Sequence, residues 1–416
     1  MNATSGAYAL TIAKRLLTTE AVLAAVPGPE AASLAHGLAG TALLHARLAT
    51  IDPVFRTAAD SHWAATACRA RRQRATGSGI FTTAGGLAAS LIIGTGYLPD
   101  PAARQLAAAQ AAAWLSRQAQ RIADDLAERR CAGDPCTPRA AYDAINGLAG
   151  IGRVLLAAVI AGHPAAERGL IATLEALTMM IVSPHGSRPG WWLPAAMHPP
   201  AVKADPSGSA ATGMAHGIAG PLACLAAASA RGWSVPGQDA AIRHASRWLL
   251  DWKAGGTWQW PASVSGTELD AGSARPTGRQ DAWCYGTPGI SAALSLAGQA
   301  LGDGTLTQAG EAAIASLASR PACAWDVEGP TLCHGHAGVL ACAADRQPGV
   351  SSEAAGAITA VFDASHPFAL PSADDVAGDR PGFLVGAAGA ALTLAEHGHL
   401  PSPAVPARWD CVLLLS

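Results

Sequence analysis

Two cysteines occupy the same place in two copies of one short motif. Cys284 stands in WCYGTPG and Cys333 stands in LCHGHAG, and in both copies a ring-bearing residue and a glycine follow the cysteine. The ring-bearing residue of the second copy is His334. Two thiolates and one imidazole suit zinc, and three protein ligands leave the fourth position of a tetrahedral site open. The set predicts a catalytic metal centre, whereas each cysteine alone would be read as a small buried apolar residue.

The two motifs belong to a repeat that runs through the chain. A Gly-x-x-Gly element recurs, each time followed by a segment rich in Ala and Leu. Its second glycine is Gly40, Gly86, Gly150, Gly220, Gly289, Gly338 or Gly389, and the copy that ends at Gly86 is degenerate. Successive copies are 46 to 70 residues apart. Each repeat therefore has room for two helices and their loops.

The segments between the glycines have helical periodicity. The stretch AARQLAAAQAAAWLSRQAQRIADDLAERR is amphipathic with a period near 3.6 residues. The segments directly after the glycines are apolar almost all round and must be buried. We therefore predict an all-α fold, a closed α/α toroid (barrel) of seven helical-hairpin repeats with an inner and an outer ring of helices. An open solenoid is the main alternative, although such arrays usually carry polar capping repeats.

The chain is predicted to form one domain, residues 1–416. The two widest spacings between glycines contain stretches rich in Pro, Trp and Gly, such as SRPGWWLPAAMHPP. These stretches predict loop elaborations or a small inserted subdomain within about residues 183–212 or 252–280.

Composition excludes several classes of protein. The 416 residues are 50% hydrophobic and 14% charged, with a formal net charge of −2. The absence of a basic block argues against a nucleic-acid partner. No apolar run reaches the roughly 20 residues of a membrane span, and no signal-peptide pattern begins the chain. We expect a soluble, cytoplasmic protein.

The cysteines point to reduced thiols. They number nine, an odd count in a long chain without an export signal, which favours free thiols or metal ligands over a disulfide framework. Cys131 and Cys136 share a polar loop and could pair or bind a metal, although a simple loop role is favoured.

Polar side chains fall at one register of the repeat. The residue before the first glycine is His36, Asn146, His216, Tyr285 or His334, and the two cysteines stand one place earlier in their copies. In a closed toroid, equivalent positions point to one mouth, the end where the inner helices begin. Helix N-termini there favour anions and thiolates, so the sequence predicts a single site at this mouth.

At these motifs the sequence resembles the lanthionine synthetase C-like (LanC-like) family of lanthipeptide cyclases, in its stand-alone class I form. The resemblance rests on WCYG with PG at 288–289, CHG at 333–335, AHGIAGP at 215–221, and YD at 142–143 ahead of GLAG at 147–150. It extends to the seven-repeat layout. It implies one zinc ion per chain, held by Cys284, Cys333 and His334. It also implies addition of a peptide cysteine thiol to dehydroalanine or dehydrobutyrine, which forms (methyl)lanthionine thioether rings.

The resemblance implies partners as well. The substrate would be a dehydrated precursor peptide with its leader. A chain of this length has no room for a fused dehydratase. A separate dehydratase would supply the peptide, in a complex that could include an exporter and so lie at the membrane periphery. The protein itself is expected to be a monomer.

Roles for residues near the mouth follow from the same resemblance. His216 is the candidate acid that protonates the α-carbon, with a core histidine as the simpler interpretation. Asp143 would orient His216 or stabilise its charged form, or else cap a helix. Tyr285 would donate a hydrogen bond to a ligand or to the enolate, or only pack.

One position departs from the family pattern. The family commonly places an arginine four residues before the first zinc cysteine, and here that position is Gln280, next to Arg279. Arg279 could reach in from a shifted backbone, Gln280 could donate a neutral hydrogen bond, or the role could be lost. His36 and His336 also lie near the mouth, and His336 could be a fourth ligand or a proton shuttle, although a loop role is favoured.

Other functions remain open on the sequence alone. The same zinc site could add glutathione or another small thiol to dehydroamino acids, and would then need an added thiol for turnover. A non-catalytic toroid could carry a peptide to the dehydratase. Carbohydrate hydrolysis would need paired carboxylates at the mouth, and Asp143 has no evident partner in the turns.

Overall fold

The structure is a computed structural model that describes residues 2–72, 79–134, 136–198, 205–344, 346–371 and 380–416. Its described residues form 17 α-helices and one two-stranded antiparallel sheet. The helices are α1 (Asn2–Arg15), α2 (Thr19–Ala25), α3 (Leu38–Leu48), α4 (Pro53–Arg72), α5 (Thr83–Gly94), α6 (Ala102–Cys131), α7 (Arg139–Tyr142), α8 (Leu148–Ile160), α9 (Glu167–Val182), α10 (Ala219–Ser229), α11 (Gln238–Asp251), α12 (Gly266–Ala271), α13 (Thr287–Leu301), α14 (Gly304–Ala315), α15 (His336–Ala343), α16 (Pro348–Ala360) and α17 (Ala387–His397). The strands are β1 (Ser209–Ala211) and β2 (Ser263–Ser265).

Seven helices form a closed inner ring. Each begins at a Gly-containing turn and contacts the next, in the order α3, α5, α8, α10, α13, α15 and α17, and α17 contacts α3 again. All residues of α3 are buried. Most of them are Ala, Leu or Gly, and the buried polar side chains of Thr41, His45 and Arg47 each make a hydrogen bond. The predicted closed α/α toroid is confirmed, and the open solenoid is wrong because the first and last inner helices touch.

The outer ring consists of α1, α4, α6, α9, α11, α14 and α16, which cover the inner helices. In α11 the apolar residues Ile242, Ala245 and Leu249 are buried while Arg243 and Arg247 are exposed, the pattern of a helix with one covered face. The seventh outer helix is α1, which packs on α17 and so joins the two ends of the chain. Within the described ranges, no helix is both long and apolar enough to cross a membrane.

The turns that precede the inner helices are joined by backbone hydrogen bonds around the mouth. The donors and acceptors sit at nearly the same register of successive repeats. The bonds run from Ala144 N to Ala215 O (3.0 Å), Ala215 N to Cys284 O (3.1 Å), Cys284 N to Cys333 O (3.4 Å), Cys333 N to Leu384 O (2.9 Å), Leu384 N to Ala35 O (3.0 Å) and Ala35 N to Phe81 O (3.4 Å). The two cysteines are therefore direct neighbours in this ring.

The two stretches that the sequence gives as alternative insertions meet in space. Strand β1 comes from the first stretch and pairs with β2 from the second, with Ala210 opposite Val264. Residues 199–204, which belong to the first stretch, lie outside the described residues. A single domain with one insertion stays a prediction.

Candidate metal centre and active site

Cys284, Cys333 and His334 lie together at the mouth of the toroid. Their ligand atoms are all within 4.8 Å of one another, and Nδ1 of His334 is 3.1 Å from Sγ of Cys284. Both cysteines are buried and the histidine is partly exposed. Zinc lies about 2.3 Å from sulfur and about 2.0–2.1 Å from nitrogen in proteins, so three atoms this close can share one ion. The donor set and its spacing fit a metal with one open position.

A glycine turn fixes the first cysteine. Gly286, two residues after Cys284, has φ +106°, and a Cβ there would lie 2.0 Å from the carbonyl oxygen of Gln280. Thr287 N donates to that same oxygen at 2.7 Å, and Pro288 occupies the first turn of α13, where proline is compatible with a helix. Only glycine fits this close approach, which explains why the motif continues with glycine after its ring-bearing residue.

The three side chains are electrostatically linked. A hydrogen bond with the Cys333 thiol and the nearby His334 imidazole lower the pKa of Cys284 to about 5, although burial opposes this. The same pairing with Cys284, together with burial, raises the pKa of Cys333 well above its ordinary value. Hydrogen bonding to Cys284 raises the pKa of His334. These contacts favour the thiolate form of Cys284. A metal cation bound between the three side chains would replace the proton of the Cys333 thiol.

His216 and Asp143 form a hydrogen-bonded pair from two neighbouring turns. Nδ1 of His216 lies 2.6 Å from Oδ2 of Asp143, and the carboxylate is almost fully buried while the imidazole is 32% exposed. The other carboxylate oxygen accepts the backbone N–H groups of Ile145 (3.1 Å), Asn146 (2.6 Å) and Gly147 (3.0 Å). One oxygen therefore binds the backbone of the turn before α8 while the other holds the imidazole. The part of this pair in the reaction stays a prediction.

Tyr285 is a neighbour of both His216 and the candidate metal ligand Cys284. It directly follows Cys284, and its ring centroid is 6.3 Å from that of His216. Gly213 leaves space for the ring, because a Cβ at that position would lie 2.6 Å from a ring carbon. Burial raises the pKa of Tyr285 to about 12. The phenol therefore keeps its proton at neutral pH and can donate a hydrogen bond.

Arg279 and Gln280 differ in what they can offer the site. Nε2 of Gln280 donates to the carbonyl oxygens of Thr277 (3.3 Å) and Gly278 (3.0 Å), so its side-chain N–H groups bind the loop in which Gln280 lies. Arg279 pairs with Glu328 and lies 3.6 Å from Asp326. Its positive charge offsets part of the rise in the pKa of Cys333 that Cys284 and burial cause. Of these two side chains only Arg279 carries a positive charge, and that charge acts on Cys333. Which of the two takes part in the reaction stays a prediction.

The two remaining histidines of the mouth stand apart from the ligand set. Both ring nitrogens of His336 face backbone carbonyl oxygens, those of Gly329 (3.1 Å) and Ala322 (3.4 Å). This favours the loop role over a fourth ligand. His36 lies 3.7 Å from Glu30 at another part of the mouth. All nine cysteines are free thiols, with Cys131 exposed and Cys136 partly exposed.

Sequence reasoning missed a buried ion pair that supports the rim. Asp281 is fully buried and accepts two hydrogen bonds of 2.7 Å from the guanidinium of Arg320, and a third of 2.7 Å from the backbone N–H of Asp326. This network ties the loop that carries Asp326 and Glu328 to the turn before Cys284. The sequence shows a charged residue, Asp281, three places before Cys284, which could have indicated a buried ion pair. Its partner Arg320 lies in another repeat and could not be identified from the pattern.

Comparison with known proteins identifies the class. The family model described as lanthionine synthetase C-like protein matches residues 28–408. The chain belongs to this family and is an enzyme of the lanthionine cyclase type, which forms carbon–sulfur bonds. Among solved structures it is similar to "Nisin cyclase", with a TM-score of 0.75 and 19% identity over 94% of this chain and 93% of that chain. This likeness shows a common fold. No curated protein sequence matches the chain.

Proposed function

We propose that the protein is a zinc-dependent lanthipeptide cyclase. It would add cysteine thiols of a dehydrated precursor peptide to dehydroalanine or dehydrobutyrine and so form (methyl)lanthionine rings. The observation that carries the proposal is the compact set of Cys284, Cys333 and His334 beside the pair of His216 and Asp143, all at one mouth. Thiolate and imidazole ligands favour zinc over the harder cations.

The chain's own residues suit each part of the addition. Bound zinc would lower the pKa of a substrate thiol so that it reacts as a thiolate at neutral pH. Because Asp143 accepts from Nδ1 of His216, the opposite nitrogen, Nε2, is free to take the proton of that thiol. A sulfur–carbon bond then forms at the β-carbon and the carbon–carbon π bond breaks. The electron pair moves toward the adjoining carbonyl oxygen.

The negative charge on that oxygen requires hydrogen-bond donors nearby. Tyr285 keeps its proton and can donate to it, and Arg279 supplies a positive charge at the rim. His216 then returns its proton to the α-carbon. The sum is addition of S–H across the double bond, with no other reactant.

The proposed substrate defines the partners. A peptide with dehydroalanine or dehydrobutyrine requires a separate dehydratase upstream, and its leader would deliver it to the mouth. We propose that the cyclase is a cytoplasmic monomer that joins the dehydratase, and an exporter where one is present, at the membrane surface.

Metal analysis tests the proposal. The wild-type protein, purified with zinc, should hold one zinc ion per chain, and Cys284→Ala and Cys333→Ala should hold none. Cys342→Ala is the matched control, because Cys342 is also buried but lies outside the ligand set. A folded wild-type protein without zinc contradicts the proposal. With a dehydrated precursor, loss of alkylatable thiols without an added thiol separates ring formation from addition of glutathione.

A further inference from the structure

Residues 409–416, here named the axial segment, begin at the end of the toroid opposite the mouth, where Trp409 binds Tyr97 just after α5 and Glu396 near the end of α17. The segment begins as a 3₁₀-helix, Trp409–Leu413, which contacts α5 and α8 on one side of the inner ring. On the other side, Nε1 of Trp283 donates to the carbonyl oxygen of Leu413 at 2.9 Å. A segment that touches opposite sides of the ring lies across its axis.

The axial segment is part of the core. Trp409 is 1% exposed, and Cys411, Val412, Leu413 and Leu414 are fully buried. Burial of consecutive apolar side chains is the main favourable contribution to folding. These residues therefore fill the channel that the seven inner helices would otherwise leave open.

Polar contacts give the axial segment one position. The backbone N–H of Trp409 donates to the Tyr97 hydroxyl at 2.9 Å. Nε of Arg153 donates to the Ser416 carbonyl oxygen at 2.7 Å, and the Ser416 hydroxyl donates to Asp410 at 2.6 Å. A buried polar group that loses its partner destabilises the fold. A shifted segment would break several of these contacts at once.

The axial segment reaches the metal ligands through one tryptophan. Trp283 is fully buried and immediately precedes Cys284 in the chain. Its ring points into the channel and contacts the axial segment, while the side chain of Cys284 joins the ligand set at the mouth. The backbone N–H of Cys284 binds the carbonyl of Cys333 at 3.4 Å, so a displacement of this backbone would change the spacing of both sulfur ligands.

We infer that the axial segment is the floor of the metal site and that Trp283 is a positioning residue. The hydrogen bond to Leu413 fixes the indole ring, and the ring fixes the backbone that carries Cys284. Residues that orient metal ligands contribute strongly to metal affinity. The floor also closes the channel below the site, so the substrate peptide enters and leaves through the mouth. The inference rests on the proposed function in taking Cys284 as a metal ligand.

Cobalt titration of the metal-free, full-length protein tests the inference. Trp283→Phe keeps an aromatic ring but removes the N–H donor, and a chain that ends at Arg408 removes the floor. Cobalt bound by thiolates has characteristic charge-transfer and d–d absorption bands. We expect both variants to shift the d–d bands and to bind cobalt at least about tenfold more weakly.

A matched control separates positioning from stability. Trp63 is 2% exposed and donates to Ser90 Oγ at 2.8 Å, on α4 and away from the ligand set. Trp63→Phe should destabilise the fold by a similar amount and leave the cobalt spectrum and affinity unchanged. If the shortened chain does not fold, the cobalt affinity and spectrum of Trp283→Phe alone test the inference.

The outcomes distinguish the two proposals. Wild-type affinity and spectrum in Trp283→Phe overturn the inference, while the cyclase proposal stands. A wild-type protein that binds no cobalt overturns the proposed function instead. In that case the alkylation rate of Cys284, mapped on its peptide, decides the inference. A rate that differs from wild type in Trp283→Phe but not in Trp63→Phe supports the floor, and an equal rate in Trp283→Phe overturns it.

Discussion

Replacement of Asp143 by Asn tests whether His216 depends on a carboxylate. One oxygen of Asp143 accepts three backbone N–H groups, and the other lies 2.6 Å from Nδ1 of His216. Asparagine keeps an acceptor for the N–H groups but turns an N–H₂ group toward the imidazole. Nδ1 must then accept, so Nε2 carries the proton and cannot take one from a thiol.

The magnitude follows from the loss of the carboxylate charge, which stabilises the imidazole when it takes the proton. A hydrogen bond to a charged group contributes about 1.5–3 kcal/mol, and each 1.36 kcal/mol is about tenfold in rate. We expect kcat/KM of Asp143→Asn to fall about 10- to 150-fold. The free energy of unfolding should change by less than about 1 kcal/mol, because the amide keeps the three backbone contacts and a hydrogen bond to Nδ1 of His216.

Ring formation in a dehydrated precursor measures the rate, followed as loss of alkylatable thiols by mass spectrometry. Urea unfolding and zinc content are measured on the same samples. Asp143→Ala is the control, since it also removes the backbone contacts and should unfold at lower urea. Wild-type cyclisation by Asp143→Asn refutes the proposed role of the pair. Loss of zinc from Asp143→Asn refutes the separation of the pair from the metal ligands.

Two further predictions concern stability. Gly286→Ala places a Cβ 2.0 Å from the Gln280 carbonyl oxygen at φ +106° and should lower the free energy of unfolding by about 2 kcal/mol or more. In the control Gly304→Ala the added Cβ meets no atom within 4 Å, so the free energy of unfolding should change by less than about 1 kcal/mol. Equal urea midpoints for the two variants would contradict the argument. Burial lowers the pKa of His45 to about 3 and that of His62 to about 4. The unfolded chain therefore binds protons first as the pH falls below about 6.5, and each histidine removes up to about 1.4 kcal/mol of stability per pH unit down to its folded pKa. The variant His62→Gln should show a shallower loss of stability between pH 7 and pH 5, and an unchanged slope would show that this histidine is not buried as described.

The fold and the ligand set could be predicted from the sequence because both follow from the repeat. A closed ring places equivalent positions side by side, so two cysteines at one register become neighbours, as the hydrogen bond between the backbones of Cys284 and Cys333 shows. A contact of this kind depends only on the position of a residue within its repeat. The periodicity of glycines and apolar residues therefore predicts it.

Contacts that break the repeat could not be predicted in the same way. The hydrogen bond of Trp283 to Leu413 joins residues 130 positions apart, and the apolar run that contains Leu413 has no copy elsewhere in the chain. The ion pair of Asp281 with Arg320 depends on loop geometry. A pattern of residue types contains no information about which loops meet.

The contact of α1 with α17 has a consequence for synthesis on the ribosome. About 370 residues separate the end of the first helix from the start of its partner, and elongation at about 5–20 residues per second makes that a wait of roughly 20 to 75 s. During this time the apolar face of the nascent first helix has no partner, and the ring cannot close by adding one repeat at a time. We expect the growing chain to need protection by a chaperone until its last repeat emerges.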